Sequence, residues 1–255
     1  MTTEGTLSTE LRLAWLREQL QGVGKVSLRG SATVLGVSEM TVRRDLADLE
    51  KLGDARRVRG GAVAVRSAQF SERRKSHSRA KSAIASKISR LLPTHGAVAL
   101  DGSSTVLALV AHLREASGLI VVTNGPDTFA GLQSLAHRNG LLPILTGGEL
   151  DEHGTGSLVG PLAMRNAREI HSSRFFCSAL GATVVGTTEH CLDEAHIKRA
   201  IQESSAETIL GLDSSKLGAH GVARGFDWSQ IAVLATELPP EHPDLAAYRD
   251  LVEVI

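Results

Sequence analysis

Apolar residues recur at three- and four-residue spacing from Leu7 through Leu11, Leu13, Ala14, Leu16 and Leu20, with Arg12, Arg17 and Glu18 between them. That period predicts an amphipathic helix ending near Gly22 and Gly24. Ser27 is placed to cap a short second helix to Leu35, Gly36 supplies a tight turn, and Ser38 is placed to cap a third helix from Glu39 to about Leu52. The third helix would bury Met40 or Val42 with Leu46, Leu49 and Leu52, leaving Thr41, Arg43, Arg44 and Asp48 outward near its N-terminal half. In a helix-turn-helix module that half meets base edges. Gly53 suits the left-handed position that ends a helix, and 55–63 reads as a strand, a Gly60-Gly61 turn and a return strand. Arg56, Arg57 and Arg59 would then sit on a wing, where their planar donors suit phosphate or minor-groove contact.

Beyond residue 81 the period changes. Short apolar runs at 97–100, 119–122, 142–145, 174–179, 208–212 and 231–235 alternate with helical stretches of about a dozen residues. Such alternation predicts an α/β domain, a doubly wound and mostly parallel sheet with helices on both faces. Ligands of such sheets lie outside the carboxyl ends of the strands. Four loops fall there: Asp101-Gly102-Ser103-Ser104-Thr105, Thr123-Asn124-Gly125, Thr146-Gly147-Gly148-Glu149 and Asp213-Ser214-Ser215-Lys216. The first leads into a helix and predicts an anion cradle of backbone N–H groups and hydroxyls. Lys216 would add a point charge, and Asp101 and Asn124 suit sugar hydroxyls. Each loop taken singly is equally well an ordinary turn.

Charge divides the chain at the same place. The formal net charge is zero, yet residues 1–81 hold 16 Lys and Arg against 9 Asp and Glu, leaving 12 against 19 for the remainder. A basic small domain on an acidic body is expected where only the first part meets a polyanion, although a solvated basic face would look the same. Length and the 42% hydrophobic content fit two soluble domains. No run is long and apolar enough to span a membrane, and the N-terminus lacks the pattern of a secretory signal, so the expected compartment is the cytoplasm. Cys177 and Cys191 are too few for a disulfide framework. The predicted division is 1–65 for a winged helix-turn-helix domain, 66–81 for an exposed Arg-rich linker, and 82–255 for an effector-sensing and oligomerisation domain.

The run Val37-Ser38-Glu39-Met40-Thr41-Val42-Arg43-Arg44-Asp45-Leu46-Ala47-Asp48-Leu49-Glu50, continued by Arg57-Val58-Arg59-Gly60-Gly61-Ala62, closely resembles the DNA-binding signature of the DeoR family of bacterial repressors. Phe70-Ser71-Glu72-Arg73 with Lys81-Ser82-Ala83-Ile84-Ala85 resembles the family's hinge. Thr123-Asn124, Gly147-Gly148, Ser157-Leu158-Val159-Gly160-Pro161 and Asp213-Ser214-Ser215-Lys216-Leu217-Gly218 are similar to its sensor domain. The resemblance implies a sensor fold like that of sugar-phosphate isomerases, an operator of double-stranded DNA, a small phosphorylated effector, and a homo-oligomer. It implies DNA contacts at Ser38, Thr41, Arg43, Arg44, Arg56, Arg57 and Arg59. On the effector side it implies Asp101, Ser103, Ser104, Thr105, Asn124, Gly147, Gly148 and Lys216. Arg73 and Lys81 are further effector-side candidates, with ordinary solvated charges as the alternative. Two positions depart from the family pattern: Gly30 inside the second helix, and Ser103 where glycine is common.

The competing class is an enzyme, for which Asp101, Asp193, Glu194 and His196 are candidate bases. No compact acid–base or nucleophile signature accompanies them, and Glu194 with Lys198 reads as a surface ion pair four residues apart on a helix. His190, Cys191 and His196 fit no standard zinc spacing. No cofactor, metal or catalytic residue is therefore expected. A third reading is a DNA-bound scaffold whose C-terminal domain only oligomerises.

Overall fold

The computed structural model describes residues 8–23, 25–52, 54–64, 66–115, 118–151 and 154–255. Leu7, Gly24 and Gly53, given roles by the hydrophobic pattern, lie outside the described residues. The chain forms two compact units divided between Glu72 and Arg73.

In the first unit, α1 (Thr9–Val23), β1 (Lys25–Ser27), α2 (Leu28–Leu35), α3 (Glu39–Lys51), β2 (Ala55–Val58) and β3 (Gly61–Ala64) follow in order. Leu16 and Leu20 of α1, Leu35 of α2, and Val42, Leu46 and Leu49 of α3 form one core with Ala55 and Ala62 of the wing strands. The caps fall where the sequence puts them. Ser27 Oγ accepts from the Gly30 amide at 3.0 Å and Ser38 Oγ from the Thr41 amide at 3.1 Å, while Gly36 ends α2 at φ 65°. A Cβ on Gly30 would come within 2.6 Å of Ser27 Oγ, so the helix-weakening glycine leaves the cap room. The wing is a three-stranded sheet, β1-β3-β2, because Lys25–Ser27 adds a strand that the pattern does not announce.

Of the alternatives Met40 and Val42 the helix buries Val42, and one expected core position is corrected: Met40 and Leu52 are 60% and 63% exposed. Val42, Leu46 and Leu49 define the buried stripe at spacings of four and three, and Leu52 is the residue capping the helix end. The expected linker is corrected as well: α4 (Arg66–Lys75) and α5 (Ser78–Ser89) make most of it helical. Arg, Lys and Glu are good helix formers without an apolar stripe, which is why hydrophobic periodicity overlooks them.

The second unit is built on a seven-stranded sheet. Its strands are β4 (Gly96–Leu100), β5 (Leu119–Thr123), β6 (Leu142–Leu145), β9 (Ser172–Cys177), β12 (Ser205–Gly211), β14 (Val233–Ala235) and β15 (Glu253–Val254). All neighbours pair in parallel, in the order β15-β14-β12-β9-β4-β5-β6. Short strands β7 (Glu149–Leu150) and β8 (Leu158–Val159) pair with each other, and β10 (Gly181–Thr183), β11 (Gly186–Glu189) and β13 (Ala223–Arg224) form a small antiparallel sheet.

Successive strand residues divide between two cores. Ala99, Phe175 and Leu210 pack with Ala163 and Ala167 of α8 (Gly160–Arg168) and Ile197 and Ile201 of α9 (Leu192–Glu203). Val98, Phe176 and Ile209 pack on the other face with Ile84 and Ile88 of α5, Val106 of α6 (Ser104–Leu107), the 3-10 segment Ala108–Glu115, and Leu132 of α7 (Pro126–Asn139). The chain progresses outward through β4, β5 and β6, then returns to place β9 against the other side of β4. Between β4 and β9 the winding reverses, and at such a switch point the outgoing loops diverge and leave a crevice.

Candidate functional site

The first unit offers a basic face on α3 and the wing. Packing of Val42, Leu46 and Leu49 turns Arg43 and Arg44 outward, and Arg56 and Arg59 stand exposed on the wing. Ser38 holds the helix start through the Thr41 amide and lies 2.9 Å from Thr41 Oγ1. Arg43, Arg57 and Arg59 share a groove of about 280 Å³ with Gly60 and Gly61. Arg57 is already engaged: its amide and Nε donate to Glu50 at 2.8 and 2.6 Å, and the bonds from Arg57 hold the Glu50 carboxyl below its ordinary range. Arg29, exposed on α2, adds a cation that the family signature did not single out.

The second unit holds a cavity of about 130 Å³ at the switch point. Ser103 and Ser104 enter from the loop after β4, Ser178, Ala179 and Leu180 from the end of β9, and Asp213, Ser215 and Lys216 from the loop after β12. Glu189 and His190 come from the end of β11, Glu194 and Lys198 from α9, and Arg73, Ser76, His77 and Lys81 from the end of α4 and the start of α5. His77 has φ 52°, the left-handed region, and is the only non-glycine residue there among those described.

Besides Lys198, three cations reach this cavity. Lys81 Nζ donates to the carbonyls of Arg73 and of Ser76, the latter at 2.7 Å. Lys216 Nζ donates to Ala179 O at 2.9 Å and lies 3.9 Å from Asp213. Arg73 donates to the carbonyls of Gly154 and Thr155, the former at 2.8 Å. Burial lowers the pKa of all three, and Lys81, which also faces the charge of Lys216, is brought down to about 8. Lysines held mainly by neutral carbonyls are available to an anion.

Five of the sequence-predicted effector residues, Arg73, Lys81, Ser103, Ser104 and Lys216, line the cavity. Asp101, Thr105, Asn124, Gly147 and Gly148 do not. Asp101 is a buried brace whose carboxylate accepts from the Ser103 and Ser178 amides, both at 2.9 Å. Thr105 is fully buried behind it. Asn124 Nδ2 donates to Leu158 O at 3.1 Å, and a Cβ on Gly148 would meet Val159 O at 2.5 Å, so both serve the approach of β8. The physical reason is strand order: β5 and β6 lie on the far side of β4 from β9 and β12. The expected amide cradle is also spent internally, since the Ser103 amide goes to Asp101 and the Val106 amide to Ser103 Oγ at 3.2 Å.

The Glu194–Lys198 pair expected on the surface is buried instead. Lys198 Nζ donates to Glu189 Oε2 at 2.9 Å and to Ser178 O at 2.8 Å, and lies 3.5 Å from Glu194 and 3.7 Å from Asp101. Desolvation alone would lower Lys198, but the carboxylates of Glu189, Glu194 and Asp101 hold it above its ordinary range. Burial pushes Glu189 up while the charge of Lys198 pulls it down. No group of three or more metal-ligating side chains occurs among the described residues.

These shifts set a pH dependence. From pH 7 to pH 9 Lys81 loses a proton, which weakens anion binding. Inorganic phosphate affinity measured by calorimetry is expected to fall about tenfold or more over that range; a flat profile would contradict the cavity electrostatics. For stability the sign is opposite at Lys81. Its folded value lies below the ordinary 10.5, so its contribution rises with pH between about 8 and 10.5.

Two family descriptions match the chain: a DeoR-like helix-turn-helix domain over residues 12–68 and a DeoR C terminal sensor domain over residues 76–237. The HTH-type transcriptional regulator GolR of Listeria innocua is 31% identical over 218 residues, 84% of each chain. The lactose phosphotransferase system repressor of Streptococcus mutans is 30% identical, covering 86% of this chain and 91% of its own. Solved structures of similar fold include ribose 5 phosphate isomerase A from Neisseria gonorrhoeae, at TM-score 0.39 and 13% identity over 54% of this chain and 52% of that one.

Proposed function

The chain belongs to the DeoR family of transcriptional regulators, and we propose that it is a sequence-specific repressor of a carbohydrate operon whose DNA affinity responds to a small sugar phosphate. Its matched relatives carry the names of regulators and repressors, and the protein is a regulator, not an enzyme. Residues 1–65 take the DNA-binding role and 82–255 the sensing and oligomerisation role, with 66–81 joining them and lending Arg73, Ser76, His77 and Lys81 to the cavity. The observation that carries the effector half is the cavity at the switch point, where Arg73, Lys81 and Lys216 converge beside the hydroxyl groups of Ser103 and Ser104.

In this reading the protein is a homo-oligomer whose paired modules grip two operator half-sites. The effector binds two arrangements of those modules unequally, and that inequality is the switch. Arg73 lies in the last turn of α4 and Lys81 in the first turn of α5. The phosphate would therefore meet the chain segment that leads from one unit to the other. Relief of repression is the expected sign.

A thermal-shift panel of sugar monophosphates tests the sensor. At a concentration 100 times Kd, a ligand specific to the folded state stabilises by about 2.7 kcal/mol. At least one compound is expected to raise the melting temperature, and Lys216→Ala is expected to weaken it at least tenfold. A panel without a stabilising compound would remove the sensor reading.

A further inference from the structure

The cavity contains acceptors as well as cations, and two of the acceptors are unoccupied. Glu189 and Glu194 line it with side chains 1% and 7% exposed. One oxygen of each faces Lys198, while Glu189 Oε1 and Glu194 Oε2 have no hydrogen-bond partner among the described residues. Burying a carboxylate oxygen without a donor is costly, so such atoms mark a place where a donor is expected to arrive. Lys198 cannot supply it, since it is committed to Glu189, Glu194, Asp101 and the Ser178 carbonyl.

The basic and acidic parts of the lining adjoin: Lys81 feels Lys216, Asp213 and Arg73, while Arg73 also feels Glu194 and Lys216 also feels Glu189. An anion is drawn to Lys81, Arg73 and Lys216, which puts the rest of a small phosphate compound against the two glutamates.

We propose that Glu189 and Glu194 form a hydroxyl-selecting subsite, so that the effector is a monophosphate whose other end is an uncharged polyol, and compounds with a second anionic group are rejected. The selection has two parts: hydroxyl groups donate to the free carboxylate oxygens, and a carboxylate or second phosphate placed there meets like charge, since Lys198 is already committed to Glu189, Glu194 and Asp101. A site built to hydrogen-bond hydroxyls discriminates strongly against ligands that lack them, because its buried polar atoms stay unpaired.

This proposal rests on the sensor reading, and calorimetry on the full-length protein separates the two. The probes are inorganic phosphate, aldose and ketose monophosphates of three to six carbons, 3-phosphoglycerate and fructose 1,6-bisphosphate. The best sugar monophosphate is expected to bind at least tenfold tighter than inorganic phosphate, and the two doubly anionic compounds no tighter than inorganic phosphate. In Glu189→Gln and Glu194→Gln the ratio of sugar-phosphate to inorganic-phosphate affinity is expected to fall about tenfold, and 3-phosphoglycerate is expected to bind more tightly as repulsion is relieved. Sugar monophosphates binding no better than inorganic phosphate to the unmodified protein would overturn the subsite without any variant having to fold. A ratio unchanged in both glutamine variants would overturn it equally. If no phosphate compound binds at all, the sensor reading itself falls.

Discussion

Replacing Arg43 and Arg44 together by alanine is expected to lower affinity for the preferred operator about 10²- to 10³-fold at fixed salt. Side chains reaching base edges are worth about 1–3 kcal/mol each, and removing a cation that meets a phosphate makes the salt dependence shallower by about one unit of slope. Both arginines are exposed on a helix whose orientation is fixed by Val42, Leu46 and Leu49 and whose first turn is capped by Ser38. Truncation should leave that scaffold standing, and circular dichroism checks that it does. Duplexes selected from a random pool supply the operator, and a scrambled duplex supplies the comparison. Loss on the selected duplex alone means base readout; equal loss on both, with a shallower salt slope, means phosphate contact. Unchanged affinity on both would remove α3 as the recognition element. Wing variants should behave differently. Arg56 and Arg59 stand exposed, whereas Arg57 would have to exchange its Glu50 pair for a phosphate. An exposed pair of this kind contributes little, so the exchange is accessible.

The two units were legible in the sequence to different depths. The first is governed by local chemistry: serine caps, a left-handed glycine, and a buried stripe along α3, all decided within a few residues. The parallel strands were also visible, because strands covered on both faces read as continuous apolar runs. Their ends were not. β12 begins at Ser205, three residues before the apolar run, because Ser205, Ala206 and Glu207 are paired in the sheet yet partly or fully exposed. The β10-β11-β13 sheet is rich in glycine and threonine and has no apolar run to betray it.

The cavity was half legible for a topological reason. Sequence order marks which loops leave the carboxyl ends of strands but not which strands are neighbours. Because β9 inserts beside β4, the loops after β4 and β12 reach the cavity and those after β5 and β6 do not. The acidic half of the lining escaped notice because Glu194 and Lys198, spaced i to i+4, look the same from sequence whether they face water or a cavity. Glu189 is the third partner that turns the pair inward, and it sits on a short strand of another sheet.

The same blindness to long-range partners hides a buried ion pair in the first unit. Asp45 falls within the recognition-helix signature and would pass for one more polar position, yet it is buried. Both its oxygens accept from Arg12 of α1, from Nε at 2.7 Å and from Nη2 at 3.0 Å, and side-chain exposure is only 9% for the arginine and 4% for the aspartate. The fork ties α1 to α3 beside the packing of Leu16 and Leu20 in their shared core. Removing one partner of a buried pair leaves the other charge uncompensated, at a cost of about 3 kcal/mol or more. A domain of this size holds only a small margin of stability. Asp45→Ala is therefore expected to unfold the first unit well before the second, splitting thermal denaturation into two transitions and abolishing DNA binding while sugar-phosphate binding persists. Replacing both partners by apolar residues of similar length, Arg12→Met with Asp45→Leu, should recover much of the lost stability because no lone charge remains. If Asp45→Ala melts with the unmodified protein, the pair is not what holds α3 in place.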